Sequence, residues 1–283
     1  RRHHCAARVR GQRLNPRGVL VLPRIAMVST FPPTQCGIAT FAESLTRALT
    51  HAGASVDMVD LPAGPETPPH DAILHRHRGF QDLPVTAYLL DSFDVVVLQH
   101  EFGIWDGPDG AGIVDLIGAL ATPVITVLHT VPSVATGGQR RALQGILDLS
   151  DAVVVLSHSA YRRLIRDFSV RPDTLAMIPH GATALWHLRR TERDGSTPRL
   201  LTWGLLGQGK GVEWGIRAMA LLRDRGIAGE YVIAGATHPN VRRSDGESYR
   251  QSLLDLARRL GVAGSVRLAD EYLSDDGLRQ LIS

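Results

Sequence analysis

The sequence predicts an α/β protein of two Rossmann-like units in tandem, each built on a parallel sheet, with the second unit incomplete. Two observations predict it. Short apolar, β-branched runs alternate with amphipathic stretches, as βαβ repeats require. That alternation breaks once, over "HLRRTERDGSTPR" (His187 to Arg199), into charge, Gly and Pro, and then begins again.

The first unit opens on the strand "RIAMVS" (Arg24 to Ser29). A loop with two prolines follows, and then the clearest helix of the chain. In it Ile38, Phe41, Ala42, Leu45, Ala48 and Leu49 recur at spacings of three and four residues, and Gly53 closes the segment. Further strands are read at "SVDMVD" (Ser55 to Asp60), "DVVVLQ" (Asp94 to Gln99), "PVITVL" (Pro123 to Leu128), "AVVVLS" (Ala152 to Ser157) and "LAMIP" (Leu175 to Pro179), with helices between them. After the break come the strand "RLLTWG" from Arg199, a helix over Val212 to Arg223, the strand "EYVIAG" from Glu230, a helix over Glu247 to Leu260, the strand "SVRLAD" from Ser265, and a helical stretch from Ser274. Three strands are fewer than the five or six of a doubly wound domain. The second core is therefore expected to be incomplete and the chain truncated at its C-terminus. The resulting division is a leader over 1–23, a first domain over 24–186, a linker over 187–198 and a partial second domain over 199–283.

Composition narrows the function classes. Lys210 is the one lysine among 31 Lys+Arg residues, a skew that GC-rich coding explains. The formal net charge of +3 is concentrated at the N-terminus, where Arg1, Arg2, Arg8, Arg10, Arg13, Arg17 and Arg24 crowd the first 24 residues. The body without it is slightly acidic, so no nucleic-acid-binding face is expected. The leader is expected to be disordered or an artefact of the gene model, with translation starting at Val19 or Val21. It holds no apolar core of a signal peptide, and no apolar run of about 18 residues spans a membrane; the reading is a cytoplasmic protein. No basic amphipathic surface stands out once the leader is removed, and peripheral contact with a membrane stays open. Cys5 and Cys36 suggest no disulfide framework. "HHC" (residues 3 to 5) and "HRH" (residues 75 to 77) lack a second cluster at ligand spacing, so they are read as solvated histidines and no metal site is expected.

In open parallel sheets ligands bind at the carboxyl ends of the strands, and the unusual residues of this sequence fall there. After the first strand comes "TFPPTQCGIATF", in which Gly37 opens a helix whose amides and dipole suit a phosphate; a tight turn that needs glycine for its dihedrals is the alternative. After the third and fourth strands come "QHEFGIWDG" and "HTVPS". Polar groups at the mouth of a buried strand are costly unless paired or facing a cleft, which singles out His100, Glu101 and His129. A satisfied structural histidine is the other reading of His100, and it suits His129 less, because His129 directly ends an apolar strand. After "RLLTW" comes "GLLGQGKG", where Gly204 through Lys210 reads as G-x-x-x-x-G-K and imitates a P-loop, with Gly207, Gly209 and Lys210 as the candidates to hold a phosphate. The Ser or Thr that would ligate Mg²⁺ is replaced by Gly211, and an NTPase remains only as an alternative.

The ordered series "FPPTQCGIATF", "LQHEFG", "TVLHTVPS", "VVLSHSAYRRL", "IPHG", "GLLGQGKGVEWGIRAM" and "YVIAGATHPNV" resembles the retaining glycosyltransferases of the group 1, or family 4, type, over residues 24 to 283. The resemblance implies a GT-B architecture of two facing Rossmann-like domains, the first on the acceptor side and the second on the side of a nucleotide-sugar donor. It implies transfer of a hexose from a nucleotide-diphosphate sugar to a hydroxyl acceptor, saccharide or lipid-linked, with retention, without a metal or other cofactor. By the same resemblance Gly37 approaches the donor diphosphate, His129 is the catalytic histidine beside the transferred sugar, and Lys210 neutralises the phosphate. Two departures stand out. Leu205 occupies the place of an arginine partner to the lysine, and the family's paired-glutamate segment would lie beyond Ser283. The second departure motivates the alternative that the chain is a non-catalytic fragment.

Overall fold

The computed structural model describes residues 13–14, 20–61, 72–182, 197–273 and 275–282. The chain divides into two compact units, Arg1–Gly181 and Ala182–Ser283. Inside the segment read as a leader, β1 (Arg13–Leu14) and β2 (Leu20–Val21) pair antiparallel. Residues 1–12 and 15–19 of that segment lie outside the described residues, as do 187–196 of the expected linker.

The first unit holds a parallel sheet of β3 (Arg24–Ser29), β4 (Ser55–Asp60), β5 (Ile73–Arg76), β6 (Val95–His100), β7 (Val124–Leu128), β8 (Ala152–Val155) and β9 (Leu175–Met177), in the spatial order β5-β4-β3-β6-β7-β8-β9. From β3 the chain first winds toward β5, and then continues from β6 on β3's other side. The loops after β3 and β6 therefore part at this switch point, where open sheets of this kind have their crevice. The expected first-unit strands are all present, with ends displaced by about two residues at most. β5 was not legible, because its four residues "ILHR" are too few to show a period of two.

Period-two alternation sorts the strand side chains onto two faces. Ala26, Val28, Val96, Leu98, Val124, Leu128, Val153 and Val155 enter one core, against α2 (Leu83–Leu90), α3 (Gly112–Ala119), α4 (Gly137–Leu149) and α5 (His158–Asp167). Ile25, Met27, Val97 and Val127 face the other way, where α1 (Gly37–His51) covers them with Phe41, Ala42, Leu45 and Leu49. The expected apolar stripe of α1 is thus the face that docks. Its N-cap is Cys36, whose Sγ accepts the Ala39 amide at 3.3 Å, while α4 carries a Thr136–Gln139 capping box.

The second unit contains the parallel strands β10 (Arg199–Trp203), β11 (Glu230–Ala234) and β12 (Val266–Ala269), in that order. Helices α6 (Val212–Asp224) and α8 (Ser248–Arg259) pack Ile216, Met219, Leu253 and Leu256 against Tyr231 and Ile233. Two further α-helices of this unit are α7 (Pro239–Asp245) and α9 (Asp275–Ile282); α7 carries no apolar period that would have announced it.

One sequence expectation is corrected in the first unit. His77 is not solvated: it is 4% exposed, and its Nδ1 shares the buried Thr86 hydroxyl at 2.9 Å with His75 Nε2 at 3.0 Å. Burial lowers the pKa of His77. The hydroxyl of α2 gives both imidazoles a partner that sequence spacing could not reveal.

Candidate active site

The strand ends of the first unit gather the expected residues, and the alternation of the sheet then separates them. Gly37 is the first residue of α1 and lies exposed, beside the loop that leaves β3. Its φ is not among the positive ones, and a Cβ built on it would meet nothing within 4 Å. Neither backbone conformation nor packing within this unit calls for glycine there, which removes the tight-turn alternative.

His100 ends β6, and His129 follows β7, with the His129 amide donating to the His100 carbonyl at 3.0 Å. Their rings part. His100 shares the phase of Val96 and Leu98, is fully buried, and stacks edge-on with Phe102 at 4.9 Å. Neither of its ring nitrogens has a hydrogen-bond partner among the described residues. It is a neutral imidazole, held so by burial and, secondarily, by His129, which together depress its pKa to about 3. The alternative of a satisfied structural histidine fails for His100, which is structural in its burial but not satisfied, and the expected site residue is placed on the face away from His129.

His129 lies on the α1 side. Its Nε2 is 2.8 Å from Gln99 Oε1, and the Phe41 ring stands edge-on to it at 4.8 Å. His180, exposed in the loop beyond β9, stacks against the same Phe41 at 5.4 Å and lies 6.2 Å from His129 between ring centroids. Burial, and then the proximity of His180, lower the His129 pKa to about 4. Near neutral pH this imidazole is a hydrogen-bonding group without charge. Glu101 faces neither ring: its carboxylate accepts from the Phe102 amide and the Thr130 hydroxyl, tying the loop after β6 to the loop after β7.

Sequence reasoning missed Gln99, Phe41 and His180 as members of this group. Gln99 and His100 are adjacent letters in "LQHE", and the period of two puts only one of them on His129's face. The phase of the apolar run before them could have said that it is Gln99.

In the second unit, β10 leads into the glycine loop and then into α6. Gly209 and Gly211, on either side of Lys210, have φ of 84° and 70°, values that L side chains rarely adopt. Gly207 is buried; a Cβ there would come within 3.3 Å of Val241 Cγ2. Lys210 itself is exposed at the turn, its amide donating to the Gly207 carbonyl at 3.3 Å. The neighbouring strand end is zipped to this loop, since Leu206 donates to Ala236 O and His238 donates to Leu206 O, both at 2.8 Å. His238 is thereby brought beside the loop, and its pKa is lowered by burial and by the Lys210 ammonium. Arg250, 8% exposed, donates to the Gly235 carbonyl at 2.6 Å and to Asp270 at 2.7 Å, and so fastens the ends of β11 and β12. Leu205, at the position of the absent arginine, is partly buried.

Among the described residues no group of three or more His, Cys, Asp or Glu is arranged to hold a metal, and no helix is long and apolar enough to cross a membrane.

No curated protein matches the chain by sequence. Solved structures do match it in fold. A glycosyltransferase from Rickettsia africae ESF-5 superposes with a TM-score of 0.65 at 13% identity, over 92% of this chain and 70% of its own. WaaG, a glycosyltransferase involved in lipopolysaccharide biosynthesis, gives 0.58 at 14% identity over 91% and 72%. An alpha-glucosyltransferase in complex with UDP and a 13-mer DNA containing a HMU base gives 0.57 at 12% identity over 92% and 70%. The architecture is that of the GT-B glycosyltransferases. The family model described as Glycosyltransferase Family 4 matches residues 36–183, from the cap of α1 to just beyond the His180 loop, and the chain belongs to that family.

Proposed function

We propose that this chain transfers a hexose from a nucleotide-diphosphate sugar to a hydroxyl group of a saccharide or lipid-linked acceptor, with retention of anomeric configuration. The observation that carries the donor class is the Lys210 loop. An exposed ammonium sits between two glycines of left-handed backbone, at the carboxyl end of a parallel strand and immediately before a helix of 13 residues. Backbone amides, a helix N-terminus and a compact cation together suit a diphosphate. A departing β-phosphate gains negative charge, so a fixed cation stabilises the transition state more than the ground state. The chemistry asks for position and charge, not for a metal.

In the first unit, His129 is the residue we assign to the transferred sugar. Its neutrality suits hydrogen bonding to hydroxyls and rules it out as a cation for phosphate. The acceptor hydroxyl attacks on the face that the phosphate leaves, and its proton passes to the leaving phosphate oxygen. No strong base is then required of the protein.

The test is calorimetric titration of the chain with UDP-, GDP- and ADP-hexoses, followed by product analysis with a panel of sugar acceptors. Micromolar binding of one donor, weakened about 100-fold in Lys210→Ala, with an α-donor yielding an α-product, is the expected result. Equal affinity in Lys210→Ala overturns the phosphate assignment. A product of inverted configuration overturns retention. Binding without any transfer would identify a non-catalytic fragment, and Mg²⁺-dependent ATP hydrolysis would identify the P-loop alternative.

A further inference from the structure

Gln99 is the only polar side chain that touches the imidazole of His129 by a hydrogen bond among the described residues. It sits one residue from the end of β6, is fully buried, and points to the same face as Val97. Its amide is used at both ends. Oε1 is 2.8 Å from His129 Nε2, and Nε2 donates to the thioether of Met27 at 3.3 Å on the neighbouring strand β3. Its backbone carbonyl is held as well, by the indole N–H of Trp105 at 2.9 Å. The side-chain amide is therefore held at both ends, by Met27 of β3 and by His129 just after β7, and a buried amide held in this way has one orientation.

An amide oxygen can only accept. The imidazole nitrogen that faces it must carry the hydrogen, and a neutral imidazole has just one. Protonation of the ring's other nitrogen is opposed by the burial around it and by His180, whose ring centroid lies 6.2 Å away. The structure thus selects one tautomer among two and one charge state among two.

We propose that Gln99 is a positioning residue that locks His129 in the neutral Nε2–H tautomer, so that the Nδ1 lone pair accepts a hydrogen bond from a hydroxyl of the transferred sugar. This rests on the assignment of His129 to that sugar. It adds a specificity rule: the donor must present a hydroxyl to Nδ1, because a deoxy sugar covers this partly buried acceptor without pairing it, and such a mismatch is discriminated more strongly than a missing methylene. A carboxylate at position 99 would instead stabilise the imidazolium, which has no acceptor to offer.

Nitrogen NMR of the whole chain labelled with ¹⁵N-histidine tests the proposal directly, with the His129 signals assigned by comparison with His129→Gln. In the unmodified chain, Nε2 of His129 should be the protonated nitrogen and Nδ1 the bare one, unchanged from about pH 5.5 to about pH 8. Gln99→Leu should give a mixture of tautomers. Gln99→Glu should turn the ring cationic in the same range. The indole N–H signal of Trp105 reports whether β6 remains folded in each variant; if it is lost, the spectrum of the unmodified chain decides alone. An Nδ1–H tautomer or an imidazolium in the unmodified chain overturns the proposal, and so does a His129 spectrum that neither substitution alters. In transfer assays Gln99→Leu should lower kcat/KM up to about tenfold for the normal donor and weaken its preference over the matching deoxy sugar. An NMR result as expected, with transfer unchanged in Gln99→Leu and His129→Gln, would count against the assignment of His129 to the sugar and leave the tautomer lock standing.

Discussion

His100 and His129 are joined through their backbones, amide to carbonyl at 3.0 Å, yet their rings lie on opposite faces of one sheet. Both are neutral in the fold, with pKa values of about 3 and about 4 where an unfolded histidine has one near 6.5. The unfolded chain therefore binds protons that the folded chain refuses between pH 6.5 and those values. Stability is full above pH 6.5 and falls as the pH drops below it, by up to about 1.4 kcal/mol per pH unit for each histidine. Urea unfolding followed by fluorescence from pH 7.5 downward should show this loss, and His100→Phe should flatten the curve in proportion to one proton. A curve of unchanged slope in that variant would show that His100 is not the group being titrated.

Gly37 should separate folding from function. Its backbone is not left-handed and a methyl group would meet open space, so Gly37→Ala should melt at the same temperature or slightly above, the gain being at most about 1 kcal/mol. If its amide approaches a diphosphate, Gly37→Val should lower donor binding at least about tenfold while the melt stays put. Thermal melts and donor titrations on the same samples check both halves. A Gly37→Val chain that binds donor normally would show that close approach is not the reason for this glycine.

Arg250 is a buried cation with fixed partners, and removing it strands them. Arg250→Met leaves the Gly235 carbonyl and the Asp270 carboxylate without their donor, and should destabilise the second unit by about 3 kcal/mol. Asp270, whose side chain is 54% exposed, should cost much less when changed to Asn. Denaturant unfolding read through Trp203 and Trp214, both in the second unit, distinguishes the two. Comparable losses would mean that the carboxylate, rather than the guanidinium, holds the strand ends.

The Lys210 ammonium, after burial, disfavours the protonated form of His238. Lys210→Ala should therefore raise the His238 pKa toward the ordinary histidine value, leaving burial as the remaining cause of depression. Inorganic pyrophosphate added to the unmodified chain should move it in the same direction by supplying negative charge beside both groups. Proton NMR titration of the His238 ring measures each shift. No movement in Lys210→Ala would place the ammonium too far away to matter.

The period of two and the turn residues carried most of the first unit's architecture, because buried parallel strands read as apolar runs whatever surrounds them. The stripe of α1 was equally plain. β5 was not, since an edge strand of four residues with two basic side chains has no run to display. The placement of Gly37, His100, Glu101, His129 and the Lys210 loop after strand ends was legible, but which of them share a face was not, since His100 is buried away from His129 and Glu101 is tied to Thr130.

Local pattern by itself determined that polar groups stand where buried strands of this family of folds end, and that one lysine is framed by glycines. It could not decide which of those groups share a face, which are paired, or in what charge state they rest. Those properties depend on neighbours distant in sequence: Gln99 reaches His129 across 30 positions, and Thr86 satisfies both His75 and His77 from a different element. Burial and hydrogen-bond partners set protonation, and both exist only once the sheet has brought its strands together.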